Sequence, residues 1–159
     1  MKKLALLLPL LSLNCIAEES DQDKNYSVGL GMGAMYSGIG TNFSLVSEND
    51  LKYISAGCTE YSSATKASCG FGIGWIKTDL FGSKSNKHGL GIYATLIGKE
   101  RPPGYIVHHV QDIYGAGVSY TYFMNGINQS GVTFGASIHA TNAEYDGRYG
   151  AFFQVGYQF

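Results

Sequence analysis

The sequence predicts an all-β fold with about eight strands. Apolar residues alternate with small polar ones along most of the chain, and no helical stripe of useful length occurs. The composition agrees, with 22 glycines, 12 tyrosines and only three prolines. Successive side chains of a strand point to opposite faces, so this alternation indicates strands with one apolar and one small polar face.

The predicted strands follow one another in chain order. In the first, Tyr26, Val28 and Leu30 share one face, while Gly29 and Gly31 take the other. The same division recurs to the last strand, which ends in AFFQVGYQF. The eight predicted strands cover residues 26–36, 39–45, 53–58, 69–75, 89–96, 114–122, 132–139 and 149–159.

Their two faces predict a closed, membrane-spanning barrel. The polar face is mostly Gly, Ser and Thr, which suits a narrow lumen better than a water-facing surface. Aromatic residues fall near both sets of strand ends: Tyr26, Trp75, Tyr120, Tyr122, Tyr157 and Phe159 at one, and Tyr36, Tyr61, Tyr114 and Tyr149 at the other. In hydrocarbon a sheet can have no open edge. We therefore expect an eight-stranded antiparallel up-and-down transmembrane β-barrel in which the last strand pairs with the first.

The first 17 residues have the pattern of a secretory signal. MKKLALLLPLLSLNCIA joins two lysines to an apolar stretch and precedes the acidic EESDQD. Lipidation at Cys15 is an alternative reading, although Leu13 and Asn14 are bulky for such a site. We expect a signal peptide at 1–17, a short periplasmic segment at 18–25 and the barrel at 26–159.

The charge of the predicted mature chain excludes one class of partner. Removing residues 1–17 takes away two of the 11 basic residues and none of the 12 acidic ones, which leaves a net charge of −3. No basic patch is visible, so we expect no nucleic-acid partner. No nucleotide loop or metal-ligand spacing occurs either, and we expect no cofactor.

The ending with alternating aromatics and a final Phe resembles the C-terminal signature of bacterial outer-membrane β-barrels. The residues that carry the resemblance are Phe153, Val155, Tyr157 and Phe159. It implies a location in the outer membrane of a Gram-negative bacterium, and we expect the protein to be a monomer there. It also implies periplasmic chaperones, the barrel assembly machinery, and membrane lipids with lipopolysaccharide as partners.

Cys58 and Cys69 are the only cysteines of the predicted mature chain. They lie symmetrically about residue 64, so a hairpin with its tip at SSAT sets them opposite each other. In an exported protein the expected state is a disulfide. A redox-active pair would normally have the closer C-x-x-C spacing.

The segments that connect the predicted strands contain few candidate functional residues. The resemblance implies that both termini lie on the periplasmic side. In that case the segments 47–50, 80–87 and 125–131 face the periplasm, and any binding residues belong to the outer loops or the upper lumen. His108 and His109 are adjacent in the longest outer connection. Neighbouring residues of an extended chain point to opposite faces, so we expect no metal site there.

His139 is the first of three candidate catalytic residues. Its parity places it in the lumen near the outer end of its strand, where a histidine beside hydroxyl groups could act as a general base. The run His139, Ala140, Thr141, Asn142, Ala143 resembles the H-x-S-N-A run of outer-membrane lipid A 3-O-deacylases, which implies an acyl hydrolase. Thr141 stands where that family has its nucleophilic Ser, the last strand has no Glu, and Glu144 is a substitute partner at a different spacing.

Glycines along the inward face allow two explanations. They permit strong coiling and let Tyr53, Tyr93, Phe123 and Phe152 pack across the axis, or they leave a pocket for a small amphipathic ligand. A continuous water channel is not expected at this strand number. The sequence favours a structural or surface-interaction role without catalysis, with a lipid A acyl hydrolase or a lumen carrier as alternatives.

Overall fold

In a computed structural model of the chain, the described residues are 26–62, 66–80, 85–100, 111–144 and 147–159. The predicted signal, the periplasmic segment 18–25 and the pair His108 and His109 lie outside them. The strands are β1 (Tyr26–Gly33), β2 (Gly38–Val46), β3 (Asp50–Ser62), β4 (Lys66–Lys77), β5 (His88–Glu100), β6 (Gln111–Phe123), β7 (Gly131–Thr141) and β8 (Tyr149–Gln158). No helix among these residues is long and apolar enough to cross a membrane.

The described strands form a closed antiparallel barrel in chain order, as predicted. β1 closes the ring against β8, from the pair Gly29–Gln158 to the pair Met32–Val155. The Phe159 amide extends the ladder by donating to the Val28 carbonyl oxygen at 2.9 Å. We call the end that carries the connections β2–β3, β4–β5 and β6–β7 the turn end, and the opposite end the loop end.

The apolar side chains lie on the outside of the barrel. Ile39, Phe71 and Phe153 are 72%, 79% and 87% exposed. The neighbouring residues of opposite parity face inward, and Asn42, Ser55 and Gln154 are all at least nine-tenths buried. The arrangement is therefore the reverse of that in a soluble sandwich, whose apolar faces meet in the centre.

The predicted first strand is three residues too long. β1 ends at Gly33, and Ala34–Tyr36 form a 3₁₀ turn whose residues are all buried. Gly33 and Gly38 flank this turn with φ of 110° and 97°, which side chains other than glycine rarely adopt. The placing of Tyr36 in the aromatic group at the loop end was therefore wrong, because the backbone turns into the lumen after Gly33. The side chain of Tyr61 lies outside the described part.

The hairpin β3–β4 carries the predicted disulfide. Cys58 and Cys69 are directly paired across the ladder, their Cα atoms are 3.9 Å apart, and their sulfur atoms are bonded. Pairing continues beyond them to Ser62 and Lys66 after an irregularity between Cys58 and Glu60. The expected structural cross-link is thus present near the loop end.

The barrel wall divides toward the loop end. The ladder between β4 and β5 stops at the pair Gly72–Thr95, whereas β3–β4 and β5–β6 each continue as longer hairpins. A bulge between Leu96 and Gly98 lies at the point of divergence. Leu96 is 2% exposed because it packs against Gly70, where a Cβ would lie 2.6 Å from its Cδ2 atom.

Candidate functional site in the barrel lumen

The lumen is filled by side chains from all eight described strands and by the 3₁₀ turn. An apolar group of Tyr53, Tyr93 and Phe123 packs with Met35 and Tyr36 of the turn, and Phe152 packs against the same group. The four aromatic side chains expected to pack inside the barrel therefore do belong to one packed group. The 3₁₀ turn, residues Ala34–Tyr36, also lies inside the barrel, and we call these three residues the plug.

Hydrogen bonds tie the plug to the barrel wall. The Tyr36 hydroxyl is 3.0 Å from Thr133 Oγ1 on β7. Ser37, which follows the plug, has its Oγ atom 2.7 Å from Ser55 Oγ on β3, and Thr95 Oγ1 on β5 donates to it at 2.8 Å. Three strands on different sides of the lumen thus hold one turn, which fixes its position.

Glycines in the wall make room for the plug. A Cβ at Gly31 would lie 2.7 Å from Tyr36 Cε2, and one at Gly156 would overlap the Tyr36 hydroxyl. Gly31 and Gly156 face each other across the β1–β8 ladder. The Tyr36 ring therefore occupies the space that these glycines leave, and a ligand cannot use that space while the plug is in place.

A second polar network lies between the plug and the turn end. Gln158 Nε2 donates to Asn42 Oδ1 at 3.2 Å, and Gln158 Oε1 accepts from Ser27 Oγ at 2.9 Å. Asn42 Nδ2 donates to the carbonyl oxygen of Met35 at 3.4 Å, which connects the network to the plug. These buried amides rigidify the lumen because each has a partner that replaces water.

His139 lies in the lumen, as its parity predicted, and is 6% exposed. Its Nδ1 is 3.1 Å from the Tyr93 hydroxyl, which donates to Ser137 Oγ at 3.2 Å. Because the Tyr93 hydroxyl hydrogen is directed at Ser137, the Tyr93 oxygen accepts a hydrogen bond from His139 when Nδ1 carries a proton. The Nε2 edge of the His139 ring lies against β8, where a Cβ at Gly150 would be 2.5 Å from Nε2.

The other two candidate catalytic residues have different hydrogen-bond partners. Thr141 Oγ1 donates to the Gly147 carbonyl oxygen at 3.3 Å and accepts from the Ala143 amide at 3.3 Å. Glu144 is exposed, and its amide donates to both carboxylate oxygens of Glu100 at 3.1 Å. No described hydrogen bond joins His139 to Thr141 or to Glu144, so the structure does not bring the three together as an acid, base and nucleophile.

The sequence did not predict the burial of two residues, Glu100 and Tyr36. Glu100 is 3% exposed and is the one carboxylate among the buried described side chains. The bulge at residue 97 reverses which residues of β5 face inward beyond that point. The alternation of apolar and polar residues in the sequence does not predict such a bulge. Tyr36 had a signal that could have been used, because glycines at 33 and 38 bracket AMYS and allow a reversal of the chain.

The four residues of the predicted insertion signal lie on the outer surface of β8 and just beyond it. Phe153, Val155, Tyr157 and Phe159 are 87%, 40%, 40% and 55% exposed. The Tyr157 and Phe159 rings pack edge to face with their centroids 4.9 Å apart. The four side chains therefore form a continuous apolar stripe on the outside.

No cluster of three or more potential metal ligands occurs among the described residues. No protein-family model, no curated protein and no solved structure matches the chain. The fold and the side-chain arrangement alone define its class: a closed eight-stranded up-and-down β-barrel whose lumen is filled by the plug, an apolar group and buried polar side chains.

Proposed function

We propose that the protein is an outer-membrane β-barrel of a Gram-negative bacterium with a structural or surface-interaction role and no catalytic activity. The observation that carries the proposal is the inverted distribution of side chains. Large apolar residues cover the outer face of the described strands, while buried Ser, Thr, Asn and Gln share the lumen with a smaller apolar group around Tyr53 and Phe123. Such a surface is stable in lipid and would aggregate in water.

The ends of the outer face support the same proposal. At the turn end the exposed aromatics include Tyr26, Trp75, Tyr120 and Tyr157, and at the loop end Tyr114 and Tyr149 are exposed. Aromatic rings with polar tips prefer the interface between hydrocarbon and headgroups. The strands between them contain 8–13 residues, which brackets the ~9–11 residues that span a bilayer at a tilt.

The filled lumen supports a role without transport. The plug, the polar network beside it and the packed aromatics occupy the axis from the turn end to the level of His139. In this proposal the outer loops meet the partners at the cell surface, lipids and lipopolysaccharide surround the barrel, and residues 1–17 direct export. Periplasmic chaperones and the assembly machinery deliver it to the membrane.

Fractionation of cells that make the full chain tests the location. We expect the protein in the outer-membrane fraction, with residues 1–17 removed and with different gel mobility before and after boiling. An intact barrel resists detergent until heated, because its backbone hydrogen bonds are all internal. Recovery as a water-soluble periplasmic protein, or a mobility unaffected by heating, would refute the proposal.

The two alternatives make contrary predictions that the same cells can test. Loss of an acyl chain from lipid A, seen by mass spectrometry only when the protein is present and abolished by His139→Ala, would establish the acyl hydrolase. A small amphipathic molecule that co-purifies in equimolar amount and is lost on enlarging lumen side chains would establish the carrier. We expect unchanged lipid A and no such molecule, and steady conductance in a planar bilayer would contradict the sealed lumen.

A further inference from the structure

An open groove of about 730 Å³ crosses the outer face of β4, β5, β6 and β7. Two parallel rows of paired residues line it, one along each side. The first row is Trp75, Ile92, Val118 and Ile138, and the second is Lys77, Leu90, Tyr120 and Ala136. The volume falls in the range of ~300–1,000 Å³ typical of small-molecule sites.

The groove is larger than the recess beside Phe71 and Tyr114 on the same outer face, which measures about 170 Å³. Its walls include Trp75 and Ile138, which are 41% and 63% exposed, while the small side chain of Ala136 leaves one end open. Apart from Lys77 and the Tyr120 hydroxyl, the side chains that point into the groove are apolar. A flexible hydrocarbon chain fits such a surface better than a rigid polar ligand.

The rim at the turn end carries paired charges. Lys77 Nζ is 3.4 Å from Asp79 Oδ1, and the two side chains are 34% and 47% exposed. Lys52 Nζ lies 5.6 Å and Lys77 Nζ 5.9 Å from the centroid of the Trp75 ring, so both cations contact one aromatic side chain. Asp50 fixes that ring by accepting from Trp75 Nε1 at 3.1 Å.

The arrangement of these charges matches a zwitterion better than an anion. Each lysine has a carboxylate beside it, since Lys52 Nζ is 3.9 Å from Asp50 Oδ1 and Lys77 pairs with Asp79. A headgroup with negative charge alone would be attracted by the lysines and repelled by the aspartates. A phosphate joined to an ammonium group can satisfy both, with the phosphate at Lys77 and the ammonium at Asp79.

We propose that this groove is a binding site for one glycerophospholipid with a phosphoethanolamine-type headgroup, whose acyl chain lies between the two rows. The proposal rests on the proposed function, because it needs the groove to lie in a bilayer. The charged rim is at the turn end, together with the start of β1 and the end of β8, and in the proposed orientation that end faces the periplasm, so the bound lipid belongs to the periplasmic leaflet.

The single tryptophan of the chain allows a direct test. Trp75 lines the groove, so bromine atoms on the acyl chain of a bound lipid quench its fluorescence. The protein is reconstituted in phosphatidylglycerol vesicles containing a low fraction of brominated phosphatidylethanolamine, and in the reverse mixture with the label on phosphatidylglycerol. We expect about threefold stronger quenching per labelled lipid from phosphatidylethanolamine, the scale of an exposed ion-pair preference.

Three variants sharpen the test. Ala136→Phe fills the open end of the groove and should abolish the preference. Asp79→Asn leaves Lys77 without its carboxylate and should shift the preference toward phosphatidylglycerol. Ala140→Phe is the matched control, since Ala140 is an exposed outward-facing residue of the same strand outside the groove, and it should leave the preference unchanged.

The outcomes separate this proposal from the proposed function. Every variant is first shown to insert and to change mobility on boiling, and failure of the unmodified protein at this step counts against the proposed function. Insertion followed by equal quenching from the two lipids overturns the lipid site alone. A preference that survives Ala136→Phe also overturns it, because the bound lipid would then lie elsewhere near Trp75.

Discussion

Individual glycines determine whether the plug can enter the lumen. Gly156 lies where a Cβ would overlap the Tyr36 hydroxyl, and the Leu30 carbonyl oxygen is only 2.7 Å from the same position. Gly98 is the opposite case, since nothing lies within 4 Å of a Cβ added there. Adding one methyl group at Gly156 therefore tests contact with the plug, and adding one at Gly98 is the matched control.

We expect Gly156→Ala to destabilise the folded barrel by about 1–3 kcal/mol, because the added methyl group displaces either Tyr36 or the β1 backbone. Urea-induced unfolding in lipid vesicles measures the change. Gly98→Ala should shift the unfolding midpoint little. Equal losses of stability from the two substitutions would contradict this, because the loss would then come from replacing any strand glycine and not from contact with the plug.

The Tyr36 hydroxyl gives a second prediction for a single residue. Tyr36→Phe removes the bond to Thr133 Oγ1 and should cost about 0.5–1.5 kcal/mol, the usual net value of a hydrogen bond. A double-mutant cycle with Thr133→Val measures the coupling in the same unfolding assay. Tyr149→Phe, at a hydroxyl on a side chain that is 83% exposed, is the control and should be neutral.

At the scale of elements, the β3–β4 hairpin is the clearest unit. Its ladder runs from the pair Asp50–Lys77 to the pair Ser62–Lys66, and the disulfide lies within it, between residues 11 apart in sequence. Beyond Gly72 the hairpin has no described ladder partner on β5. The part near the loop end therefore depends on its own cross-link.

Replacing Cys58 and Cys69 together by Ser should lower the free energy of unfolding by roughly 2–4 kcal/mol, since the cross-link restricts the unfolded chain. We also expect proteolysis of the variant to begin in this hairpin in intact cells. Alkylation of the unreduced, denatured mature protein should add no label at these cysteines. Two freely reactive thiols there would contradict the cross-link.

At the scale of the whole molecule, the barrel is closed by the ladder between β1 and β8, which we call the seam. This ladder, from Gly29–Gln158 to Met32–Val155, is the shortest in the described part of the barrel. The seam joins residues far apart in sequence, so its formation carries a larger loop-closure entropy than a hairpin does. We therefore infer that it is the last seam to form and the first to open.

A cross-link over this seam should stabilise the barrel more than one within a hairpin. Leu30 and Tyr157 are directly paired across the seam, and Val118 and Ile138 are paired across β6 and β7. We expect the disulfide of Leu30→Cys with Tyr157→Cys to raise the unfolding midpoint more than that of Val118→Cys with Ile138→Cys. The physical reason is the longer loop that it closes, and a larger gain from the hairpin cross-link would contradict this order of opening.

The sequence was sufficient for the features that depend on alternation and local pairing. Period two in the first strand gave the outward face of Tyr26, Val28 and Leu30, and hairpin symmetry gave the bond between Cys58 and Cys69. The inward position of His139 followed in the same way. Each of these follows from the pleat of a strand or from the register of neighbouring strands, both of which are local properties.

The features that the sequence left open depend on space inside the closed ring. Alternation continued through Ala34 and Tyr36, yet the lumen was wide enough beside Gly31 and Gly156 for the chain to turn inward and bury an aromatic ring. The burial of Glu100 depended on a bulge and on the β7–β8 connection that meets its carboxylate. The chain alone therefore determined which face of each strand is apolar, whereas what fills the lumen was decided only when eight strands closed and brought distant glycines and polar groups together.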